Sequence, residues 1–462
     1  MTFLGVDIGS SFIKGAVLDS AAMTISRVSR RPFPDQRPGL RPLFFEVDPQ
    51  AATTAVREVV LELLPHAPGC RGVLFSGQMG GVILVDCHGV PLTNFISWRD
   101  QRATLPSPGG GDWVAEAARR IGGACLARAG NELRAGSAAV LLHWLAMQGQ
   151  LPRGATPLSL CDYVVMHLCG SAAFAAPTHA LGTLDLRTGD WQRELFNALE
   201  IGGLHWPALC DAWHPAGMFR TGAGVIPCYP PVGDHQCSLA GAMLADGELS
   251  INVSTGSQVS RLTPEPVLGD YQTRPYLDGR YLNTMTHLPA GRSLDVLTGL
   301  LVELAARLGQ PIDNPWPAIV SAVENCPATD LACNLAFFAG PLGNRGAITN
   351  ITTENLSVGA LFRAAFESMA ENYAACAARL AGAGAVQRVV FSGGLVQKLE
   401  PLRRCIAARF GVESRICRHT EDSLLGLLLM SLIVGGAAGD LTDAARLFCE
   451  RTESAAASGA VS

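Results

Sequence analysis

Two strings about half the chain apart carry residue types that handle phosphate: Asp7-Ile8-Gly9-Ser10-Ser11, with Lys14 just beyond, and Ser254-Thr255-Gly256-Ser257. In each, an apolar run ends in a short turn of glycine and hydroxyl residues, and a second apolar run follows. Such a turn offers backbone N–H groups and small hydroxyls with no Cβ bulk in the way, which suits phosphate oxygens. A carboxylate there repels phosphate unless a hard cation lies between, so Asp7 points to Mg²⁺ bound together with the polyphosphate of ATP. Lys14 either adds positive charge toward the nucleotide or lies on a solvated strand face. Each string alone also reads as an ordinary hairpin; the duplication favours a pair of phosphate turns.

The candidate base is Asp234, in Gly233-Asp234-His235-Gln236. A sugar hydroxyl is a poor nucleophile, and a carboxylate placed beside it can take its proton as a phosphoryl group arrives. Read locally, Asp234 is equally a helix cap. With Asp7 it is also a candidate metal ligand. His235 either touches substrate and tunes Asp234 or is structural. Gln78, Met79, Trp98, Arg99 and Asp100 lie in two clusters, 76–81 and 97–102, that offer an amide, an apolar face and paired charges of the kind polyol recognition uses. The alternative there is core packing for Trp98 and a solvated salt-bridge face for Arg99, Asp100 and Arg102. Ser392-Gly393-Gly394, between a strand and a helix, serves as a platform for base or ribose or as a plain turn. Asp162 and Tyr163 read as a helix cap, and Arg274 and Arg345, in loops of the second half, as clamps for sugar or phosphate or, by default, as surface arginines.

These residues need a scaffold. At 462 residues, 48% hydrophobic and 16% charged, the chain exceeds what one core supports, and two domains are expected. Alternating apolar runs at 3–6, 12–18, 72–75 and 82–86 surround a helical pattern at 51–64, and helical spacing dominates at 113–121, 138–148 and 160–168. A strand-rich stretch returns at 247–261, followed by helical patterns at 294–308, 358–380 and 401–410 and a strand at 388–391. The class is α/β, with a coarse internal duplication. The expected division is 1–240, carrying the sugar side, 241–450, carrying the nucleotide side, and a flexible Ala/Ser/Gly-rich tail at 451–462.

The net charge of −5 and the lack of a basic, aromatic-interleaved stretch argue against nucleic acid. The fourteen cysteines are scattered, without a C-x-x-C pair, as reduced cytoplasmic thiols would be. The chain begins without a signal-like segment. Its most apolar stretch, 424–436, is shorter than the roughly 20 residues that cross a bilayer, so a buried helix is expected and no membrane partner. Small molecules are the expected partners, and a homodimer is the assembly left open.

In order, Asp7-Ile8-Gly9-Ser10-Ser11, Gly77-Gln78-Met79, Trp98-Arg99-Asp100-Gln101-Arg102, Gly233-Asp234, Ser254-Thr255-Gly256-Ser257 and Ser392-Gly393-Gly394 resemble the signature of the FGGY carbohydrate kinases, over about residues 3–440. The resemblance implies two actin-like (ribonuclease H-like) domains with ATP and sugar in an inter-domain cleft. It matches Asp234 to the general base, Asp7 to the Mg²⁺-linked carboxylate, 254–257 to the second phosphate turn and 392–394 to the adenosine turn. Gln78, Met79, Trp98 and Asp100 fall where the family contacts its sugar. The segments 161–170, 233–236 and 249–255 are similar to sedoheptulokinases, which implies transfer of the γ-phosphoryl of ATP to sedoheptulose, giving sedoheptulose 7-phosphate. Two departures stand out: Gly80, where xylulokinase-like members carry histidine, and Leu395, where a third glycine is frequent. The alternatives are a xylulokinase or other ketose or polyol kinase and, in a different class, a catalytically weak actin-like sugar sensor. The sensor is disfavoured by the presence of both aspartates and the lack of a basic helix-turn-helix segment.

Overall fold

The computed structural model describes residues 1–222, 224–380, 384–417, 419 and 421–457. The chain forms two compact units. One comprises Met1–Met243, Pro264–Tyr281 and the chain from Glu421 on; the other comprises Leu244–Thr263 and the chain from Leu282 up to 420. The boundary expected near 240 lies beside Met243, and two later segments return to the first unit. Of the expected tail, residues through 457 belong to the helix Leu441–Ala457, and 458–462 lie outside the described residues.

The first unit is built on seven strands: β1 (Thr2–Ile8), β2 (Phe12–Asp19), β3 (Thr24–Pro32), β4 (Val73–Gly77), β5 (Gly217–Thr221), β6 (Gly224–Cys228) and β7 (Val232–Gly233). Their order is β5-β6-β4-β1-β2-β3, with β7 also on β4. β1 and β2 form the antiparallel hairpin expected at Asp7-Ile8-Gly9, with Ile8 opposite Ile13. β1, β4 and β7 run parallel, aligning Asp7 with Ser76 and Val232, and Ile8 with Gly77 and Gly233. The carboxyl ends of three strands therefore lie together, at the edge where open α/β sheets gather ligands.

Two helices fix that sheet. Pro49–Leu63 starts at Asp48, whose carboxylate accepts the Gln50 N–H at 2.9 Å, and buries Ala52, Val56, Val59, Val60 and Leu63 in the core shared with Leu4, Val6, Ile8 and Ile13. Asp422–Val434, the expected buried helix, is apolar all round because both faces are covered. It crosses Asp234–Gly241 at close range: a Cβ on Gly241 would lie 2.0 Å from the Asp422 carbonyl oxygen, and one on Gly426 2.1 Å from that of Cys237. Glycine is required at both positions for this approach, which sets the helix that begins at Asp234. No helix among the described residues is long and apolar enough to cross a membrane.

In the second unit, β8 (Glu248–Val253), β9 (Ser257–Thr263), β10 (Tyr281–Leu288), β11 (Arg388–Ser392) and β12 (Glu413–Ile416) follow the order β10-β9-β8-β11-β12. β8 and β9 form a hairpin, and β8 runs parallel to β11 with Asn252 opposite Ser392. This repeats the arrangement of β1, β2 and β4, so the duplication read in the sequence is present in the backbone.

Candidate active site

Asp7 is the half-buried next-to-last residue of β1, between buried Val6 and Ile8. Its carboxylate accepts the Ser76 hydroxyl at 2.9 Å, and burial raises its proton affinity above the ordinary carboxylate range against the opposing pull of Ser76 and Lys14. The turn beyond is closed by Gly9 N–H donating to the Phe12 carbonyl at 3.1 Å, leaving Ser10 half-buried and Ser11 exposed. Lys14 pairs with Glu421 at 2.7 Å, and Arg30 shares the same carboxylate.

Asp234 opens its helix directly after Gly233, whose N–H donates to the Thr178 hydroxyl at 3.1 Å. The surrounding protein desolvates the carboxyl and the nearby Asp7 repels its charge, lifting its pKa to about 7. Both aspartates nonetheless keep some solvent access. The His235 N–H donates to the Asp234 carboxylate at 2.7 Å, and Arg274 eases the charge from a distance.

Arg274 is the residue whose surface reading fails. It is 7% exposed, held at Nε by Glu132 at 2.5 Å and at Nη1 by His235 Nδ1 at 3.0 Å. An arginine only donates, so His235 Nδ1 accepts and the ring proton sits on Nε2; burial and Arg274 keep that ring neutral. Arg274 reaches this place because its segment, Pro264–Tyr281, folds with the first unit. There Thr273 N–H donates to the Gly130 carbonyl at 3.1 Å, and Asn131 Nδ2 donates to the carbonyls of Gly269 and Tyr271 at 2.7 and 2.8 Å. Arg345 is exposed, as expected.

Gln78 follows β4, is buried, reaches the Gly9 carbonyl at 3.4 Å and leaves its amide oxygen without a partner. Met79 packs on Gly233, where a Cβ would fall 2.3 Å from its sulfur. Gly80 has φ +81, a conformation suited to glycine, and a Cβ there would lie 3.1 Å from that of Trp98. Trp98 is 40% exposed, and Arg99 stacks on Phe45 at 4.3 Å. Asp100 has 0% exposure: one oxygen accepts Phe45 N–H at 2.6 Å and Arg102 Nη2 at 2.8 Å, the other Arg102 N–H at 2.8 Å and Nε at 2.9 Å. With every lone pair engaged, Asp100 braces the loop carrying Trp98 and Arg99, and Arg102 extends the brace to Glu46 at 2.6 Å.

Among the described residues no group of three or more His, Cys, Asp or Glu side chains is placed to hold a metal. Mg²⁺ does not need such a cage, since one or two carboxylates with phosphate and water oxygens suffice. Asp7 and Asp234, desolvated and mutually repelling, are a donor pair whose charge that cation would offset.

In the second unit the β8–β9 turn is closed by Ser254 N–H to the Gly256 carbonyl at 2.9 Å. It is joined to the start of the helix Gly291–Arg307, the Ser254 and Thr255 carbonyls accepting the N–H groups of Gly291 and Arg292 at 3.1 and 2.8 Å. Thr255 and Gly256 are exposed. The Ser257 hydroxyl points inward, accepting from Tyr373 at 2.9 Å. Ser392 Oγ accepts from Asn252 at 2.9 Å. Gly393 has φ +91, and a Cβ there would lie 2.5 Å from the Val253 carbonyl. Beside them opens a cavity of about 670 Å³, lined by Ser254, Thr255, Gly394, Leu395, Asn314 and Trp316 among others, a volume suited to a nucleoside. Asn314 and Trp316 carry no motif; the only signal is an aromatic opening a helix after proline.

The two hairpin-bearing units define an α/β protein of the actin-like class. Residues 2–227, just under half of the chain, match the FGGY family of carbohydrate kinases, N-terminal domain. The xylulose kinase of Staphylococcus xylosus is 24% identical over 284 residues, 57% of this chain and 55% of that enzyme, so the chain spans about half the length of that relative. The sedoheptulokinase of Mus musculus is 23% identical over 467 residues, 88% of this chain and 92% of that enzyme. The ligand-bound xylulose kinase of Lactobacillus acidophilus shares the fold, with a TM-score of 0.83 at 19% identity and 99% of each chain covered.

Proposed function

We propose that this chain is an ATP-dependent sugar kinase that transfers the γ-phosphoryl group to the terminal hydroxyl of sedoheptulose, giving sedoheptulose 7-phosphate. The observation that carries the activity is Asp234, a solvent-reachable carboxyl lifted to a pKa of about 7 beside Asp7 at the carboxyl edge of parallel strands. A base of that strength is matched to proton removal near neutral pH. In this reading Asp234 takes the hydroxyl proton and Asp7 holds Mg²⁺, which when bound offsets charge on the phosphoryl oxygens. The unpartnered Gln78 oxygen accepts a sugar hydroxyl, while Met79, Trp98 and Arg99 offer an apolar face and a charge. His235, with Nδ1 taken up by Arg274, and Asp100, with its oxygens committed, hold their neighbours in place. Ser10, Ser11 and the backbone of 254–256 contact phosphate, and the cavity beside Gly393 and Gly394 takes the adenosine. Lys14, paired with Glu421, supplies positive charge near Asp7. None of the fourteen cysteines is in a disulfide, which fits a cytoplasmic enzyme.

Sedoheptulose is favoured by the relative that aligns over 88% of this chain and by Gly80, which adds no side chain beside Trp98. A panel of ketoses and polyols, read by coupled ADP release, tests this. The reading expects the highest kcat/KM with sedoheptulose. A clear preference for xylulose would remove that substrate and keep the kinase; no ADP release with any sugar would remove the kinase as well.

A further inference from the structure

Two charged side chains, Asp295 and Lys398, line the cavity of about 670 Å³ in the second unit. Both residues are exposed, and among the described residues neither side chain forms an ion pair or a hydrogen bond, with the other or with any neighbour. Their depth in the cavity is matched. Gly291, whose N–H donates to the Ser254 carbonyl at 3.1 Å, lies four residues before Asp295 on one helix; Gly394, next to the Gly393 packed on the Val253 carbonyl, lies four residues before Lys398 on another. Four residues of helix rise about 6 Å, so the carboxylate and the ammonium stand a turn beyond the phosphate turn at 254–257, where the base of a nucleoside would lie. Trp316, held against Phe362 at 5.9 Å, gives that end an apolar wall with Pro317, Val320 and Leu395. Asn314 turns Oδ1 to the Trp316 N–H at 3.2 Å, which makes its amide nitrogen the group it offers to a ligand.

We propose that Lys398 and Asp295 select a 6-oxopurine, so that the site takes guanosine and inosine nucleotides at least as well as adenosine nucleotides. The inference rests on reading this cavity as the nucleoside site. An ammonium only donates, and an ionised carboxylate only accepts. Guanine carries acceptors at O6 and N7, the atoms that lysine contacts, and donors at N1 and the 2-amino group on the opposite flank of the ring. Lys398 matches the first pair and Asp295 the second. Adenine has an amino group in place of O6, so a lysine at that position meets a donor, and it has neither a hydrogen on N1 nor a 2-amino group for a carboxylate. Its remaining donor and acceptor, the 6-amino group and N7, are neighbours on one edge, whereas the two charges stand on separate helices and do not pair. A charge covered by a base loses water, and the loss is offset only where the base returns a hydrogen bond. Guanine returns one to each charge, and hypoxanthine does so through O6 and N1–H.

Calorimetry of the full chain with ADP, GDP and IDP tests the selection without sugar or turnover. GDP is expected to bind at least as tightly as ADP. Lys398→Met should shift the ratio of GDP to ADP affinity about tenfold toward ADP. Asp295→Asn should shift it the same way, and by more for GDP than for IDP, which lacks the 2-amino group. The kinetic counterpart is a kcat/KM with GTP at least equal to that with ATP, read by coupled diphosphate release. GDP bound more than about tenfold more weakly than ADP, or a ratio indifferent to both variants, overturns the proposal. Binding of none of the three diphosphates removes the nucleoside site and the selection with it. The expected binding pattern without phosphoryl transfer to any sugar removes the kinase and leaves the selection standing.

Discussion

Asp234 and Asp7 are two desolvated carboxyls whose charges oppose one another, and the chemistry assigned to the chain depends on how that opposition is resolved. Because the fold raises the Asp234 carboxyl to about 7, its ionised form is present above that pH and lost below it. The acid limb of kcat/KM is therefore expected near pH 7, falling about tenfold per unit below; a limb near 4 would mean that the base is an ordinary carboxylate. Gln78→Ala removes an acceptor and, with it, only a long 3.4 Å bond to the Gly9 carbonyl of the phosphate turn, so it should raise the sugar KM about tenfold and change that for ATP much less in steady-state kinetics. That Asp7 and Asp234 belong together was legible in the order and type of the residues; the contact of Met79 with Gly233 was not. Nor were two other features. Asp100 read as a sugar contact or a solvated salt bridge and Arg274 as a surface arginine or a clamp on sugar or phosphate, yet one is spent on Arg102 and Phe45 and the other is buried between Glu132 and His235. Burial is set by what folds over a residue, and neither string contains its cover.

Secondary structure was the most legible layer, because period and turn chemistry are local. The helical patterns at 138–148, 160–168 and 358–380 end within a few residues of Ala138–Met147, Leu160–Cys169 and Val358–Arg379. The one at 113–121 continues to Arg128 because Gly122, at φ +71, kinks the chain without stopping it. The two-residue strand Val232–Gly233 was invisible, since it exists only by pairing with β4. Gly393 links the strand Arg388–Ser392 to the helix after it in a left-handed conformation against the Val253 carbonyl. Gly393→Ala is thus expected to cost about 1–3 kcal/mol in chemical denaturation and to raise the ATP KM. Helix Leu160–Cys169 makes a different prediction. Asp162, its buried cap partner, bonds Ser159 and Ala176, yet burial raises it to about 7. A carboxyl with a folded pKa above its unfolded value stabilises the fold below pH 4, and this contribution is lost as pH rises through 7, with a slope of up to about 1.4 kcal/mol per pH unit. Asp162→Asn, which keeps both hydrogen bonds, should flatten that slope in denaturation series between pH 4 and 7.

The chain does not divide at one point. Pro264–Tyr281 and the helix Asp422–Val434 return to the first unit after the second has begun, bringing Arg274 to His235 and Glu421 to Lys14. A sequence read end to end sees the duplicated hairpins and one boundary; the return is a long-range property of packing, signalled only by the unusual apolar run at 424–436. The function rests on one carboxylate in this arrangement, and the most direct test is Asp234→Asn, measured for turnover with ATP and sedoheptulose and, by calorimetry, for binding of each. The expected result is a loss of turnover of at least about a hundredfold, with both affinities within a few-fold of the parent enzyme. Turnover near that of the parent would contradict the assignment of Asp234 as the base.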